Sequence, residues 1–250
     1  MPAPALTRRD LLAWMLATPL AAALPARAVS APDGLRLLVH GKLPEAAAQG
    51  LQFGVAEASV TSTLMRRELQ LGTSAAGITG AIGVISVEPP SPGAVPSATP
   101  IVLLRDVPGF PDPSCTFRAG LTETERTAAL ERWRLESPAA GKAADPRVVA
   151  WHPSLFRYGA AELNDRYRKQ TGGPMTSEAW LAWFAVKALV DSALRAPDAP
   201  RCQALAGTRF DGHKGRPLVF DPTTRVLRQP LYIVSGDEVL GELLWEAGNR

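Results

Sequence analysis

The sequence predicts an α/β fold in which helices cover a parallel sheet. Strand-like and helix-like segments alternate along residues 35–104, as they do in βαβ units. Residues 81–87 form a continuous apolar run, which is typical of a strand buried on both faces in the middle of a parallel sheet. Residues 176–195 carry apolar side chains at helical spacing, as a helix packed on such a sheet requires.

The first half of the chain is expected to contain strands and helices in turn. Thr122 is the expected N-cap of one helix, because Glu123 and Glu125 follow it near the positive end of the helix dipole. The glycine-spaced segment 77–83 is compatible with the end of a further, small-residue helix. The strands are predicted over 35–39, 68–71, 81–87 and 101–104, and the main helices over 44–63 and 122–136.

The second half follows a segment rich in Ala, Gly and Pro, residues 137–147, that is predicted to be a linker. Gly172 and Gly173 end one predicted helix, and Pro197 and Pro200 mark the end of the next. The helices are predicted over 154–170 and 176–195, and the strands over 148–151, 218–220, 231–234 and 239–245.

Residues 1–28 have the pattern of a twin-arginine signal peptide. Arg8 and Arg9 precede an apolar run over 11–24, which is shorter than the about 20 residues that a membrane-spanning helix needs. Ala26 and Ala28 give the small-x-small pattern of a cleavage site, so we expect cleavage after Ala28. The alternative is an ordinary secretory signal that contains two arginines. Both alternatives place the mature protein in the bacterial periplasm.

Charge and composition exclude some functions for the mature chain. Cleavage after residue 28 leaves 250 − 28 = 222 residues, enough for one sizeable domain or two small lobes. The whole chain has a net charge of +3, of which the residues before the cut contribute +2 through Arg8, Arg9 and Arg27 against Asp10. A nearly neutral mature chain offers no basic face for a nucleic acid.

Two states are open to Cys115 and Cys202 in an oxidising compartment. They form a disulfide that closes a long loop, or they remain as free thiols. The sequence contains no CxxC or HExxH spacing, and His40, His152 and His213 are scattered along it. A metal site therefore has little support.

Several segments of the second half resemble a known family. The chain is similar there to type I periplasmic binding proteins of the branched-chain amino-acid class, and within that class to the subgroup encoded beside PQQ-dependent alcohol dehydrogenases. The resemblance is specific over about residues 148–234 and weaker over 35–136. It is carried by segment 150–153, which has the sequence Ala-Trp-His-Pro, and by segments 158–167, 179–187, 210–220 and 227–232.

The resemblance implies a periplasmic-binding-protein-like, three-layer fold, whose two lobes close by hinge motion on a small molecule at the carboxyl ends of the strands. Residues 29–136 would correspond to the first lobe, and residues 148–250 to a C-terminal lobe and hinge. The chain departs from the family at the short linker 137–147, which stands where the family has most of a second lobe. We therefore expect a reduced second lobe.

Two pairs of residues are candidates for contact with a ligand. Thr73 and Ser74 follow a strand, where their hydroxyls and nearby backbone N–H groups could hold a carboxylate, or could merely cap a helix. Trp151 and His152 stand at a predicted strand end, where the family lines its cleft. The alternative for this pair is a packed tryptophan and a solvated histidine. No serine, cysteine or carboxylate comes with a recognisable base, so we expect neither catalysis nor a cofactor.

These observations lead to two hypotheses of different class. The first is a periplasmic substrate-binding component of an ABC transport system linked to PQQ-dependent alcohol oxidation, which binds a small solute and delivers it to a membrane permease. The second is a degenerate binding-protein fold that acts as an interaction or accessory module for a periplasmic quinoprotein dehydrogenase. An enzyme of unrecognised type is the remaining alternative.

Overall fold

The structure is a computed structural model that describes residues 34–73, 80–91, 93–106, 115–138 and 143–245. The expected signal peptide and the candidate Ser74 lie outside the described residues, as do residues 77–79 of segment 77–83 and the centre of the linker. In the described part of the chain, no helix is both long enough and apolar enough to cross a membrane.

A five-stranded parallel sheet forms the first part of the fold. Its strands are in the order β2-β1-β3-β4-β5, with all neighbours parallel. Every residue of β3 is buried, which confirms the prediction of a central strand. The three-residue β5 was not predicted. The bounds are β1 Leu35–His40, β2 Leu69–Thr73, β3 Ala81–Ser86, β4 Ile101–Leu103 and β5 Thr116–Arg118.

Two long helices, α1 (Glu45–Leu64) and α4 (Ser177–Arg195), pack against each other over one face of this sheet. Gly50 makes the approach close: a Cβ atom built there would lie 2.0 Å from the carbonyl oxygen of Ala179. Leu189 of α4 in turn occupies the space beside Gly83 of β3, because a Cβ there would lie 2.4 Å from its side chain. The second half of the chain therefore returns to cover the sheet built by the first half.

The remaining strands pair in antiparallel fashion. They follow the order β10-β9-β8-β7, and β6 pairs with the distal part of β9. We call the unit formed by α2, β6, β10 and residues 231–235 of β9 the small lobe; its apolar centre includes Trp133 and Ile233. The bounds are α2 Glu123–Glu136, β6 Arg147–Val149, β7 Phe210–Asp211, β8 Pro217–Phe220, β9 Leu227–Ser235 and β10 Glu238–Trp245.

The N-terminus of α2 is fixed by side chains, as the sequence predicts. The hydroxyl of Thr122 accepts a hydrogen bond from the backbone N–H of Glu125 at 2.9 Å, and the Glu125 carboxylate accepts one from the N–H of Thr122 at 2.8 Å. Arg118 also donates to Glu125, over 2.8 Å between Nη2 and Oε1. Burial opposes the charged carboxylate, but these donors outweigh it and hold the pKa of Glu125 below its ordinary value.

The helix predicted over 154–170 begins six residues later, as α3 (Ala160–Thr171). Tyr158 and Gly159 precede it with φ values of 58° and 80°, and backbone in this left-handed region cannot be part of an α-helix. The helical spacing of residues 154–159 was therefore misleading. The short helix α5 (Arg201–Gly207) and strand β7 were also not predicted.

A disulfide joins Cys115 to Cys202, whose Cα atoms lie 5.5 Å apart and whose sequence separation is 87 residues. Cys115 directly precedes β5, and Cys202 belongs to α5. The bond therefore ties the edge of the parallel sheet to a helix of the second half.

Replacing both cysteines by alanine is expected to lower the free energy of unfolding by roughly 2–5 kcal/mol, because the unfolded chain regains the freedom of a long loop. Urea denaturation followed by circular dichroism measures the change. Reductant should lower the stability of the native chain to a similar degree and leave the double variant unaffected. Equal stability with and without reductant would contradict the prediction.

Gly50→Ala is expected to destabilise the protein by about 1–3 kcal/mol, because the added methyl group must push α1 away from α4. Gly173→Ala is the matched control, since a Cβ there meets nothing within 4 Å and no left-handed φ is involved. It should change the free energy of unfolding by no more than about 0.5 kcal/mol. Thermal or urea unfolding of both variants makes the comparison, and equal effects would refute the close-contact argument.

Candidate functional site

A cavity of about 570 Å³ lies where the carboxyl end of β4 faces the small lobe. Leu104 and Arg105, which follow β4 directly, form one wall. Residues of β6 and the beginnings of α2 and α4 form the others. Its apolar surface comes from Leu104, Leu121, Leu130, Val148 and Leu181. The carboxyl ends of parallel strands are where open α/β sheets bind ligands.

Arg105 is the group in this cavity best placed to bind an anion. Its side chain is exposed, and its Nε donates to the backbone carbonyl of Val87 at 2.6 Å. That bond fixes the direction of the guanidinium. The described residues provide no partner for its two terminal nitrogens, which together can hold a carboxylate in bidentate fashion.

Further charges surround the cavity. Arg126 and Arg147 lie on its wall together with Glu123 and Glu178, and Arg126 is paired with Glu123 at 3.2 Å. The three arginines of the cavity therefore exceed its two glutamates by one charge. An anionic group attached to an apolar body would suit both the charge and the lining.

The beginning of α4 is held at the cavity by a side-chain contact. The hydroxyl of Ser177 accepts a hydrogen bond from the backbone N–H of Ala150 at 3.0 Å, and Thr176 caps the helix through the N–H of Ala179. Residue 150 follows β6 directly. The contact therefore links the small lobe to the helix that covers the large sheet.

The chain crosses between the parallel sheet and the small lobe near Ala119 and Gln229, which lie just beyond β5 and within β9. The Gln229 amide donates to the carbonyl of Ala119 at 2.9 Å. Its oxygen accepts from the amine of Lys214 at 2.7 Å, and this amine also donates to the carbonyl of Pro230 at 2.9 Å. These bonds link the segment that follows β5 to strand β9, where the chain passes between the parallel sheet and the small lobe.

Lys214 is only 1% exposed, and its amine lies 3.9 Å above the ring of Trp180. Burial lowers the pKa of Lys214 well below its ordinary value, and the charge of Glu242 opposes that shift. Because the pKa of Lys214 is lower in the folded state than in the unfolded state, the free energy of unfolding depends on pH.

The structure does not bring the predicted Thr73 into the cavity. Thr73 is exposed at the carboxyl end of the edge strand β2. Three strand spacings separate β2 from β4, which amounts to about 14 Å. Ser74 lies outside the described residues.

Trp151, one of the predicted ligand contacts, lies in the core. Its side chain is 1% exposed, and its ring stacks on Trp180 at 5.7 Å between centroids. The indole N–H donates to the side-chain oxygen of Asn164 at 2.9 Å. The Asn164 amide donates in turn to the carbonyls of Pro153 and Leu155. Trp151 therefore fixes the loop before α3 and has no free surface for a solute.

His152 is half-buried beside the turn between β9 and β10 and is not part of the cavity wall. Its Nδ1 lies 2.8 Å from the hydroxyl of Ser154. Burial lowers the pKa of His152, against the hydrogen bond with the backbone of Gly236 and the charge of Asp237.

In the described part of the chain, no three His, Cys, Asp or Glu residues are grouped so that they could hold a metal ion.

Sequence analysis missed Arg105, Arg126 and Arg147. They are far apart in the sequence and belong to no motif. A signal was available for Arg105, which directly follows the predicted strand 101–104 and so stands at the carboxyl edge of the sheet. Arg126 and Arg147 could be placed only after the packing of the small lobe was known.

Lys214→Met is expected to remove a pH dependence of stability. Because burial lowers the native pKa, the native state binds fewer protons than the unfolded state at pH values between that pKa and the ordinary value of about 10.4. In this pH window, the free energy of unfolding of the native chain should therefore rise relative to that of Lys214→Met. Denaturation at a series of pH values tests this, with Lys169→Met at an exposed position as the control. Parallel curves for the native chain and Lys214→Met would contradict it.

Solved structures with a similar fold are solute-binding proteins. No protein-family model matches the chain, and no curated protein sequence matches it. A branched-chain amino acid transporter substrate-binding protein of Streptococcus pneumoniae in complex with isoleucine has a TM-score of 0.58 at 11% identity, over 85% of this chain and 99% of that one.

Two structures from Rhodopseudomonas palustris show the same likeness. A solute-binding protein in complex with 3,4-dihydroxybenzoic acid has a TM-score of 0.59 at 11% identity, over 84% of this chain and 95% of that one. Another, in complex with 4-hydroxybenzoate, has a TM-score of 0.61 at 9% identity, over 84% and 96%. At such identities the likeness concerns the fold alone: the chain has an α/β fold like that of type I periplasmic binding proteins.

Proposed function

We propose that the chain is the periplasmic substrate-binding component of an ABC transport system, and that it binds a small organic carboxylate in the cavity at the end of β4. The observation that carries the proposal is Arg105, whose terminal guanidinium nitrogens have no partner among the described residues, in a cavity that also offers the apolar surface of Leu121 and Leu181. The protein binds its solute without catalysis and delivers it to a membrane permease.

The chemistry of the cavity agrees with the ligands of the structural neighbours. Isoleucine, 3,4-dihydroxybenzoic acid and 4-hydroxybenzoate each combine a carboxylate with an apolar body. In this chain, Arg105 would hold the carboxylate, and Leu121, Val148 and Leu181 would contact the apolar body. Arg126 would approach the anion once it is released from Glu123.

The sequence resemblance over residues 148–234 supports a narrower role, in a system that serves PQQ-dependent alcohol oxidation. Oxidation of a primary alcohol through the aldehyde to the acid yields a carboxylate, which is the chemical class that the cavity suits. Export through the twin-arginine signal in residues 1–28 would place the chain in the compartment of a periplasmic quinoprotein dehydrogenase. The reduced second lobe, with linker 137–147 in place of further strands and helices, is part of this proposal.

One observation favours the second candidate function, an accessory module for a periplasmic dehydrogenase. Three apolar side chains near the end of α1, those of Val60, Leu64 and Met65, are exposed to 65%, 80% and 58%. Exposed apolar side chains grouped near one end of a helix are a candidate surface for protein contact.

Arg105→Gln is expected to weaken the binding of 4-hydroxybenzoate by about 10- to 100-fold, because one charge-assisted interaction is lost. Isothermal titration calorimetry on the purified chain measures the change, with isoleucine as a second probe. Arg132→Gln is the matched control: Arg132 lies on α2 but is paired with Glu136 on the exposed face of that helix. It should bind like the native chain.

Three results would count against solute binding at this site. The native chain would bind neither carboxylate, Arg105→Gln would bind as well as the native chain, or both arginine variants would lose affinity equally. Native mass spectrometry of protein purified gently from the periplasm separates the two functions. A monomer with a discrete small bound mass supports solute binding, whereas a complex with another protein and no small mass supports the accessory role.

A further inference from the structure

A second cavity, of about 290 Å³, lies between the loop before α3 and the sheet formed by β9 and β10. We call it the aromatic pocket, and define it by Phe156, Tyr158, Tyr232, His213 and Glu242. It shares no lining residue with the cavity that contains Arg105. The proposed solute therefore does not account for it.

Two strained segments position the aromatic rings of this pocket. Tyr158 and His213 have φ values of 58° and 57°, in the left-handed region that non-glycine residues rarely adopt. The Tyr158 ring lies directly against Gly215, where an added Cβ would come within 2.6 Å of it. Gly159 packs in the same way against the ring of His213. Strain of this kind persists only where the surroundings enforce it, and it is concentrated at functional sites.

Tyr232 forms the inner wall of the pocket. The residue is only 4% exposed, and its hydroxyl has no hydrogen-bond partner among the described residues. Burial raises the pKa of Tyr232, and the neighbouring Glu242 and Tyr158 raise it further, so the phenol keeps its proton. An unpaired hydroxyl that lines a cavity can accept a hydrogen bond from a donor group of a ligand.

Glu242 supplies a carboxylate beside this hydroxyl. It is the cross-strand partner of Tyr232 on β10, so the two side chains project from the same face of the sheet. Glu242 is exposed and forms no ion pair with a described residue. Two oxygen acceptors therefore line the pocket together, and Phe156 and Tyr158 line it as well.

The cations near the pocket are already engaged. The guanidinium of Arg157 lies 5.6 Å above the ring of Phe156. The amine of Lys214 lies 5.4 Å from the ring centroid of Tyr232, and it donates to Gln229 and Pro230. His213 contributes a ring to the wall. The charge of Glu242 also acts on Lys214, but no ion pair joins the two residues, so the Glu242 carboxylate oxygens remain open to a ligand.

We propose that the aromatic pocket is a second ligand site, which takes a small organic ammonium. The ammonium group donates to the Glu242 carboxylate and to the Tyr232 hydroxyl, and the apolar part of the ligand packs on Phe156 and Tyr158. Aromatic faces also attract an organic cation directly. The two sites thus differ in the charge of their ligands: the cavity of Arg105 takes an anion, and the aromatic pocket takes a cation.

The test uses benzylammonium and its neutral analogue benzyl alcohol, titrated into the purified chain by calorimetry at neutral pH. Benzylammonium is expected to bind at least 10-fold more tightly than benzyl alcohol. Glu242→Gln, a change at an exposed position, should weaken the binding of benzylammonium by at least 10-fold and leave benzyl alcohol unaffected. Tyr232→Phe keeps the ring but removes the hydroxyl, and should weaken benzylammonium several-fold.

Glu238→Gln is the matched control, because Glu238 is exposed on the same strand but does not line the pocket. It should leave both titrations unchanged. The proposal is overturned if benzylammonium does not bind, if benzyl alcohol binds equally well, or if Glu238→Gln has the same effect as Glu242→Gln. Competition with 4-hydroxybenzoate would also overturn it, since the two sites are separate. Failure of carboxylate binding to the native chain would leave this result unaffected.

Discussion

The close contact between α1 and α4 is the constraint on which the rest of the fold depends. Gly50 and Gly54 remove side chains from one face of α1, and the backbone of α4 occupies the space at Ala179 and Trp183. The indole of Trp183 then donates to Glu57 at 2.8 Å, so the apolar contact has a polar border. Because α4 belongs to the second half of the chain, this contact holds the C-terminal strands against the first sheet and thereby places the small lobe over the end of β4.

The charges of the site are brought together by folding alone. Arg105 follows a strand, Arg126 lies on a helix and Arg147 begins a short strand, and no local sequence pattern joins them. The bonds between Lys214, Gln229 and Ala119 hold the crossings that fix the distance between these walls. The polar network of Lys214, Gln229 and Ala119 and the apolar contact between α1 and α4 therefore both help to shape the cavity.

The sequence was informative wherever one local interaction decides the structure. The apolar run at 81–87 identified the central strand, and Thr122 with Glu125 identified the start of a helix, because burial and capping are encoded within a few residues. The helix predicted over 154–170 began late, since Tyr158 is held in a left-handed conformation by contacts with the distant Gly215. The sequence left two alternatives for Trp151, a ligand contact or a packed side chain, because its stacking on Trp180 and its bond to Asn164 depend on tertiary packing.

The burial of α4 has a consequence for the order in which the protein folds. Thirteen of its 19 residues are buried. Its main partner, α1, begins at residue 45, whereas α4 begins at residue 177. During synthesis, the apolar face of the parallel sheet must therefore wait for residues 177–195 to leave the ribosome. Contacts between such distant segments make folding slow, and exposed sheet surfaces favour aggregation in the meantime. The apolar face of the sheet therefore stays exposed in the nascent chain until α4 docks.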